Sequence, residues 1–206
     1  MAVERTSDLT RRALLKRIGL GGVAVAAMPE LSRVLLFQRT VTAQTAVLTP
    51  AESVTLSAVC ARLIPTDENG PGATEAHASQ YIERGLGGFL APSAGAYKEG
   101  LAGVNRLAQS KQARAFAALS SADQDAVLAE TEKNSPEFFS LVRAHTIQGT
   151  FCDPAYGGNA NFVGWDLISY PGVRLNVTAD DQRMDVGAKP VRRSAYDYAM
   201  FAKTTF

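Results

Sequence analysis

Between His145 and Gly172 the chain reads HTIQGTFCDPAYGGNANFVGWDLISYPG, and no other stretch limits the fold as tightly. These 28 residues hold five glycines (Gly149, Gly157, Gly158, Gly164, Gly172), two prolines (Pro154, Pro171) and the chain's only tryptophan, Trp165. Glycine permits positive φ and close backbone approach, whereas proline fixes φ and ends helices. Phe151, Tyr156, Phe162 and Tyr170 are interleaved with them. The mixture predicts a shaped loop with apolar anchors, too aromatic for a flexible linker.

Upstream of this loop the pattern is helical. Thr49-Pro50-Ala51-Glu52 reads as a capping box with proline at the first helical position. It opens a helix with Val54, Leu56, Val59, Leu63 and Ile64 inward, ending at Pro65. Further helices are predicted over Thr74–Leu86, Ala94–Ser110, Ser121 to Lys133, and from Pro136 into the loop. No alternating strand pattern of useful length occurs before residue 160. The fold class is therefore all-α: a small bundle of about five helices, the glycine and aromatic-rich loop over 145–172, then an extended arm over 173–206. Tyr196, Tyr198, Met200 and Phe201 suit an arm that lies on its own body or on a partner.

The first 43 residues read as an address. Arg11 and Arg12 precede the short, weakly hydrophobic run Ile18–Met28, the form of a twin-arginine export signal. That run is too short to span a bilayer, which needs about 20 apolar residues. Ala24-Val25-Ala26 and Val41-Thr42-Ala43 both have a cleavage-site form, and the apolar patch Leu31–Phe37 favours the later one. The expected organisation is a signal and spacer over 1–43, a helical domain over 44–172 and the arm. Residues 1–43 carry seven Lys/Arg against three Asp/Glu, leaving fourteen against seventeen in the rest. A mildly acidic body argues against nucleic-acid binding, which needs a concentrated basic face.

Candidate chemistry is sparse. His145 and Asp153 could pair as a general base and its orienter. The alternative places His145 inside, bonding a backbone carbonyl of the following loop and fixing its path. The two histidines and two cysteines lack the close pair spacing of a zinc site. Nothing in the chain suits a dinucleotide, haem or iron–sulfur cluster. In an exported protein Cys60 and Cys152 read as one disulfide, closing a 92-residue separation; the alternative is a pair of free buried thiols, since a twin-arginine substrate folds in the reducing cytoplasm.

The motif HT-x-x-G-x-F-x-DP-x-YGGN, followed by GW-x-LI-x-x-PG, resembles the signature of the gluconate 2-dehydrogenase subunit 3 family. The resemblance runs from about Thr49 to Gly172. It implies a small, cofactor-free, non-catalytic subunit that binds, stabilises and co-exports a large flavoprotein. The implied large subunit carries FAD, belongs to the glucose–methanol–choline oxidoreductases and is often paired with a haem c cytochrome. The twin-arginine translocase would then be a transient partner and the periplasm the destination. On this reading Asp153, Tyr156, Gly157, Gly158, Asn159, Phe162, Trp165, Tyr170, Tyr196 and Phe201 form the partner interface, with Tyr156, Phe162, Trp165 and Tyr170 divided between that role and internal anchoring of the loop. His145, Gly149, Pro154, Gly164, Pro171 and Gly172 shape the loop. Two other functions stay open: a free-standing periplasmic enzyme using His145 and Asp153, and an adaptor tethered to the membrane by an uncleaved signal.

Overall fold

Thr49 and Glu52 close the expected capping box, with the Glu52 carboxylate accepting from the Thr49 N–H at 2.7 Å and the Thr49 hydroxyl from the Glu52 N–H at 3.3 Å. This is the first helix, α1 (Pro50–Leu63), in a computed structural model describing residues 46–185, 187 and 189–201. Arg11, Arg12, both cleavage forms and the rest of the signal lie outside the described residues. Five helices follow: α2 (Ala78–Leu86), α3 (Ala94–Gln112), α4 (Ser121–Asn134), α5 (Pro136–Phe151) and the short α6 (Val163–Leu167). Among the described residues there is no strand, only an isolated bridge between Asp67 and Gly70. The chain is an all-α bundle.

α2 begins four residues later than the pattern predicts. His77 takes a left-handed conformation (φ 58°), and helical hydrogen bonding cannot run through it. The preceding turn is fixed by Ala73 N–H donating to Ile64 O at 2.8 Å, so the chain doubles back onto the end of α1.

α1 packs against α2, α3, α4 and α5, while α5 packs against α2 and α4. The core between them is built from Leu56, Val59, Ile82, Leu101, Val104, Phe116 and Val142, with Tyr97 fully enclosed. Val54, expected inward, is 58% exposed on the outer face of α1. Phe138 of α5 lies across Gly100 of α3, where a Cβ would fall 2.2 Å from its ring. That close approach lets the two helices meet and leaves the C-terminal half of α5 to carry the loop.

Candidate functional site

The last two turns of α5 present His145, Thr146, Gly149 and Thr150 to the interior, all buried. His145 Nδ1 lies 3.0 Å from the Tyr97 hydroxyl, and the two rings stack with centroids 5.9 Å apart. Burial lowers the His145 pKa and raises that of Tyr97, so both are held neutral. The expected partner was a loop carbonyl. The observed one is a phenol from α3, because this face of α5 is already covered by the bundle.

Backbone-on-backbone contact at glycine sets the loop itself. A Cβ on Gly158 would fall 2.1 Å from Gly149 O, and one on Gly164 would fall 1.9 Å from Thr150 O. Asn159 sits at the centre with no exposed surface and a left-handed backbone (φ 44°). Its amide donates to Cys152 O and its carbonyl accepts from Gly164 N–H, both at 2.8 Å, while its own N–H reaches Gly149 O at 2.8 Å. One side chain therefore ties the end of α5 to the start of α6. Trp165, 6% exposed, donates Nε1–H to Phe151 O at 3.0 Å and packs between Phe162 and Tyr170.

Asp153 initiates the turn Pro154–Tyr156, accepting from Ala155 N–H at 2.9 Å. Gly157 ends it at φ 91°. The same Asp153 carboxylate then takes the arm: Ser194 donates its hydroxyl at 2.6 Å and Ala195 its N–H at 2.8 Å. The Tyr156 and Tyr196 hydroxyls meet at 2.6 Å beside this clasp. Further along, Val191 N–H donates to Pro171 O at 2.8 Å and Arg192 pairs with Asp166 at 2.7 Å. Gly172, at φ 87°, admits Val191 O where a Cβ would lie 2.0 Å away. The arm thus folds back along the loop.

Several expectations are corrected here. His145 and Asp153 do not form a couple, since one bonds Tyr97 inside the bundle and the other clasps the arm. The proposed disulfide is absent: Cys60 and Cys152 are free thiols. Cys60 Sγ meets Thr146 Oγ1 at 3.4 Å, six residues before Cys152 and about 9 Å of helical rise away from it. Burial pushes the Cys60 thiol up to about 12 and also raises that of Cys152, so both are inert thiols rather than thiolates. Asn159 and Trp165, expected at the partner interface, are buried inside the loop. Gly158 is confined by Gly149 O.

Of the expected interface residues, Asp153, Tyr156, Trp165, Tyr170, Tyr196 and Phe201 line one cleft of about 580 Å³. A second groove of about 540 Å³, lined by Phe89, Ile147 and Cys152 among others, adjoins it through shared Phe151 and Tyr156. Phe89, Ile147, Tyr156, Ile168, Tyr170 and Phe201 are all large, apolar and exposed along these two hollows. Phe89, Ile147 and Ile168 were not singled out from the sequence. The signal for Ile147 was its place two residues after inward-facing His145, which turns it to the opposite side of α5.

The site is thus a clasped glycine-aromatic loop on a small helical bundle, with exposed apolar side chains along its two hollows. Over residues 50–172 the chain matches the family described as Gluconate 2-dehydrogenase subunit 3, and it belongs to that family. Comparison with curated proteins and with solved structures gives no match. Among the described residues no cluster of three or more His, Cys, Asp and Glu is placed to hold a metal ion, and no helix is long and apolar enough to cross a membrane.

Proposed function

We propose that this chain is the non-catalytic small subunit of a periplasmic FAD-dependent dehydrogenase acting on a sugar, sugar acid or glycoside. It binds a large subunit of the glucose–methanol–choline type, stabilises it and carries it through the twin-arginine translocase. FAD belongs to that large subunit, and a haem c cytochrome subunit is the candidate electron acceptor. The observation that carries this reading is the line of six exposed apolar side chains around the family motif, from Phe89 to Phe201. Interface cores are enriched in such aromatic anchors, and an uncovered patch of this kind marks an interaction site. Family membership is consistent with a dehydrogenase partner.

The test is affinity purification of the full chain from its host, with flavin absorbance of the eluate. A stoichiometric flavoprotein is the expected result, and a colourless single chain that oxidises a sugar unaided would sink it. Export is tested separately by replacing Arg11 and Arg12 with Lys, which keeps charge but not guanidinium geometry. Both subunits should then stay in the cytoplasm. Undiminished dehydrogenase activity in the periplasm of that strain would refute the carrier role.

A further inference from the structure

We propose that Asn69 is a site of spontaneous deamidation, where the chain's own backbone converts the side-chain amide to an acid and rewrites the turn between α1 and α2. The inference is independent of any partner. Asparagine is chemically the least durable of the polar side chains when the next residue is glycine. The next residue's backbone nitrogen attacks the side-chain carbonyl carbon, and a glycine, lacking Cβ, leaves that nitrogen unscreened. Asn69 precedes Gly70, and none of the other five asparagines precedes a glycine.

The fold separates Asn69 from the rest. Within α3, Asn105 donates to Thr55 Oγ1 at 2.8 Å and accepts from Phe116 N–H at 3.0 Å. Asn159 is held at both ends of its amide by Cys152 O and Gly164 N–H. Asn134 ends α4, and the Ser135 N–H that would attack it is tied to Thr131 O at 2.8 Å. Asn161 and Asn176 precede Phe162 and the β-branched Val177, whose side chains screen the backbone nitrogen. Asn69 is exposed in a turn outside the helices, and its side-chain amide has no hydrogen-bond partner among the described residues. Gly70 N–H does donate to Asp67 O at 3.1 Å, but as half of an isolated bridge between exposed residues. Such a bridge opens far more readily than a helical turn.

The turn needs the same glycine that makes Asn69 reactive. Gly70 has φ 143°, a conformation that other residues rarely adopt. Asn69 N–H donates to Asp67 Oδ1 at 2.8 Å, an Asx turn that shapes the chain just before it. In the reaction the Gly70 nitrogen gives up its proton and bonds to Asn69 Cγ. The Cγ–amide bond breaks, and ammonia leaves with that proton. Water then opens the resulting succinimide at either carbonyl, giving aspartate or isoaspartate. Isoaspartate routes the main chain through the former side chain and lengthens it by a methylene, so Asp67 and Gly70 can no longer bond in both directions. Ala73 N–H to Ile64 O and Gly72 N–H to the Glu75 carboxylate lie beyond the altered residue and confine the change to the turn.

The experiment holds the purified full chain in mildly alkaline buffer made with heavy-oxygen water and maps its peptides by mass spectrometry over time. Isoaspartate is read by enzymatic methyl transfer. Heavy oxygen should enter at Asn69 at least tenfold faster than at any other asparagine, with isoaspartate among the products. In the converted chain the Asp67 and Gly70 amides should exchange faster than in fresh protein, while those of α1 keep their protection. Asn69→Gln lengthens the side chain so that the ring closes poorly, and should cut label uptake at this position at least tenfold with an unchanged melting temperature. An Asn69 that stays unlabelled in the folded chain yet converts in urea would overturn the proposal, because the turn would then protect it. Faster conversion at another asparagine, or undiminished uptake in Asn69→Gln, would overturn it as well. Unaltered exchange at Asp67 and Gly70 in converted protein would refute the rewritten turn.

Discussion

Adding one methyl group at two glycines should move stability in opposite directions. At Gly158 the new Cβ would lie 2.1 Å from Gly149 O and 2.9 Å from its carbonyl carbon, so backbone must separate from backbone. Overpacking of this kind costs about 1–3 kcal/mol. The shift also breaks the Asn159 N–H to Gly149 O hydrogen bond, worth about 0.5–1.5 kcal/mol. Together Gly158→Ala should cost about 1.5–4.5 kcal/mol. At 2–4 °C per kcal/mol for a domain of this size, melting should fall by about 3–18 °C. Gly103, within α3, is the control, because its Cβ would meet only the Arg106 guanidinium at 3.7 Å. Removing glycine from a helix interior stabilises by about 0.5–1 kcal/mol, so Gly103→Ala should raise the midpoint by a few degrees. Thermal unfolding followed at 222 nm reads both. If the two variants shift together, in either direction, close approach of the loop to α5 does not hold Gly158, and the packing derived for the loop is wrong.

Trp165→Ala should cost about 3 kcal/mol, the low end for a buried tryptophan because the adjoining cleft admits water to Phe151 O; hydrogen exchange should localise the loss to 153–172, and an unchanged melt would restore Trp165 to the interface. Under denaturing, non-reducing conditions both thiols should alkylate, with Cys152 reacting before Cys60 in the native protein; a linked peptide pair would contradict this. His145 should make stability pH-dependent: its folded pKa lies below the unfolded value, so its contribution is complete above about pH 6.5 and is lost as pH falls from there through the folded value. His145→Gln should flatten that acid limb in urea titrations between about pH 7.5 and 5, and an identical slope would remove His145 as its source.

The bundle was legible because its signals are local. Thr49 and Glu52 form their capping box, Pro136 opens α5, and Ser120 caps α4 by accepting from Asp123 N–H at 3.2 Å. The start of α2 was not legible, because a left-handed histidine is a tertiary outcome that propensity disfavours. The family motif marked the right 28 residues but not the direction each side chain faces. Glycine at 158 and 164 was readable as a request for space, yet the carbonyls that occupy that space belong to α5. Cys60 and Cys152 failed as a pair for a similar reason. Compartment logic counts cysteines, whereas the side chain of Thr146 decides what Cys60 meets.

Aromatic content alone could not divide anchors from contacts, and the structure divides them by the polar atom each ring carries. Trp165 has an N–H that must find an acceptor once buried, and Phe151 O lies within the same turn-and-loop unit at 3.0 Å. Tyr156 and Tyr196 pair their hydroxyls at the rim and pack edge to face, so Tyr156 stays exposed without stranding a polar group. Phe201, with nothing polar to satisfy, can be exposed at no hydrogen-bonding cost. The buried ring therefore stabilises the loop, and on the proposed function the rim rings are the ones left with apolar area to offer a partner. Substitutions at Trp165 should consequently change folding and binding together, whereas Phe201 should change binding alone. Asp153 stands between the two groups, since one carboxylate both caps the Pro154 turn and fixes the arm. Asp153→Asn keeps an acceptor for Ala155 but weakens the charge-assisted bonds to Ser194 and Ala195. Its first effect should be a loosened arm on an intact bundle, visible as faster amide exchange at Ala195 with the α1 and α5 amides unchanged. Protection lost equally across the bundle would mean that arm and core are a single cooperative unit.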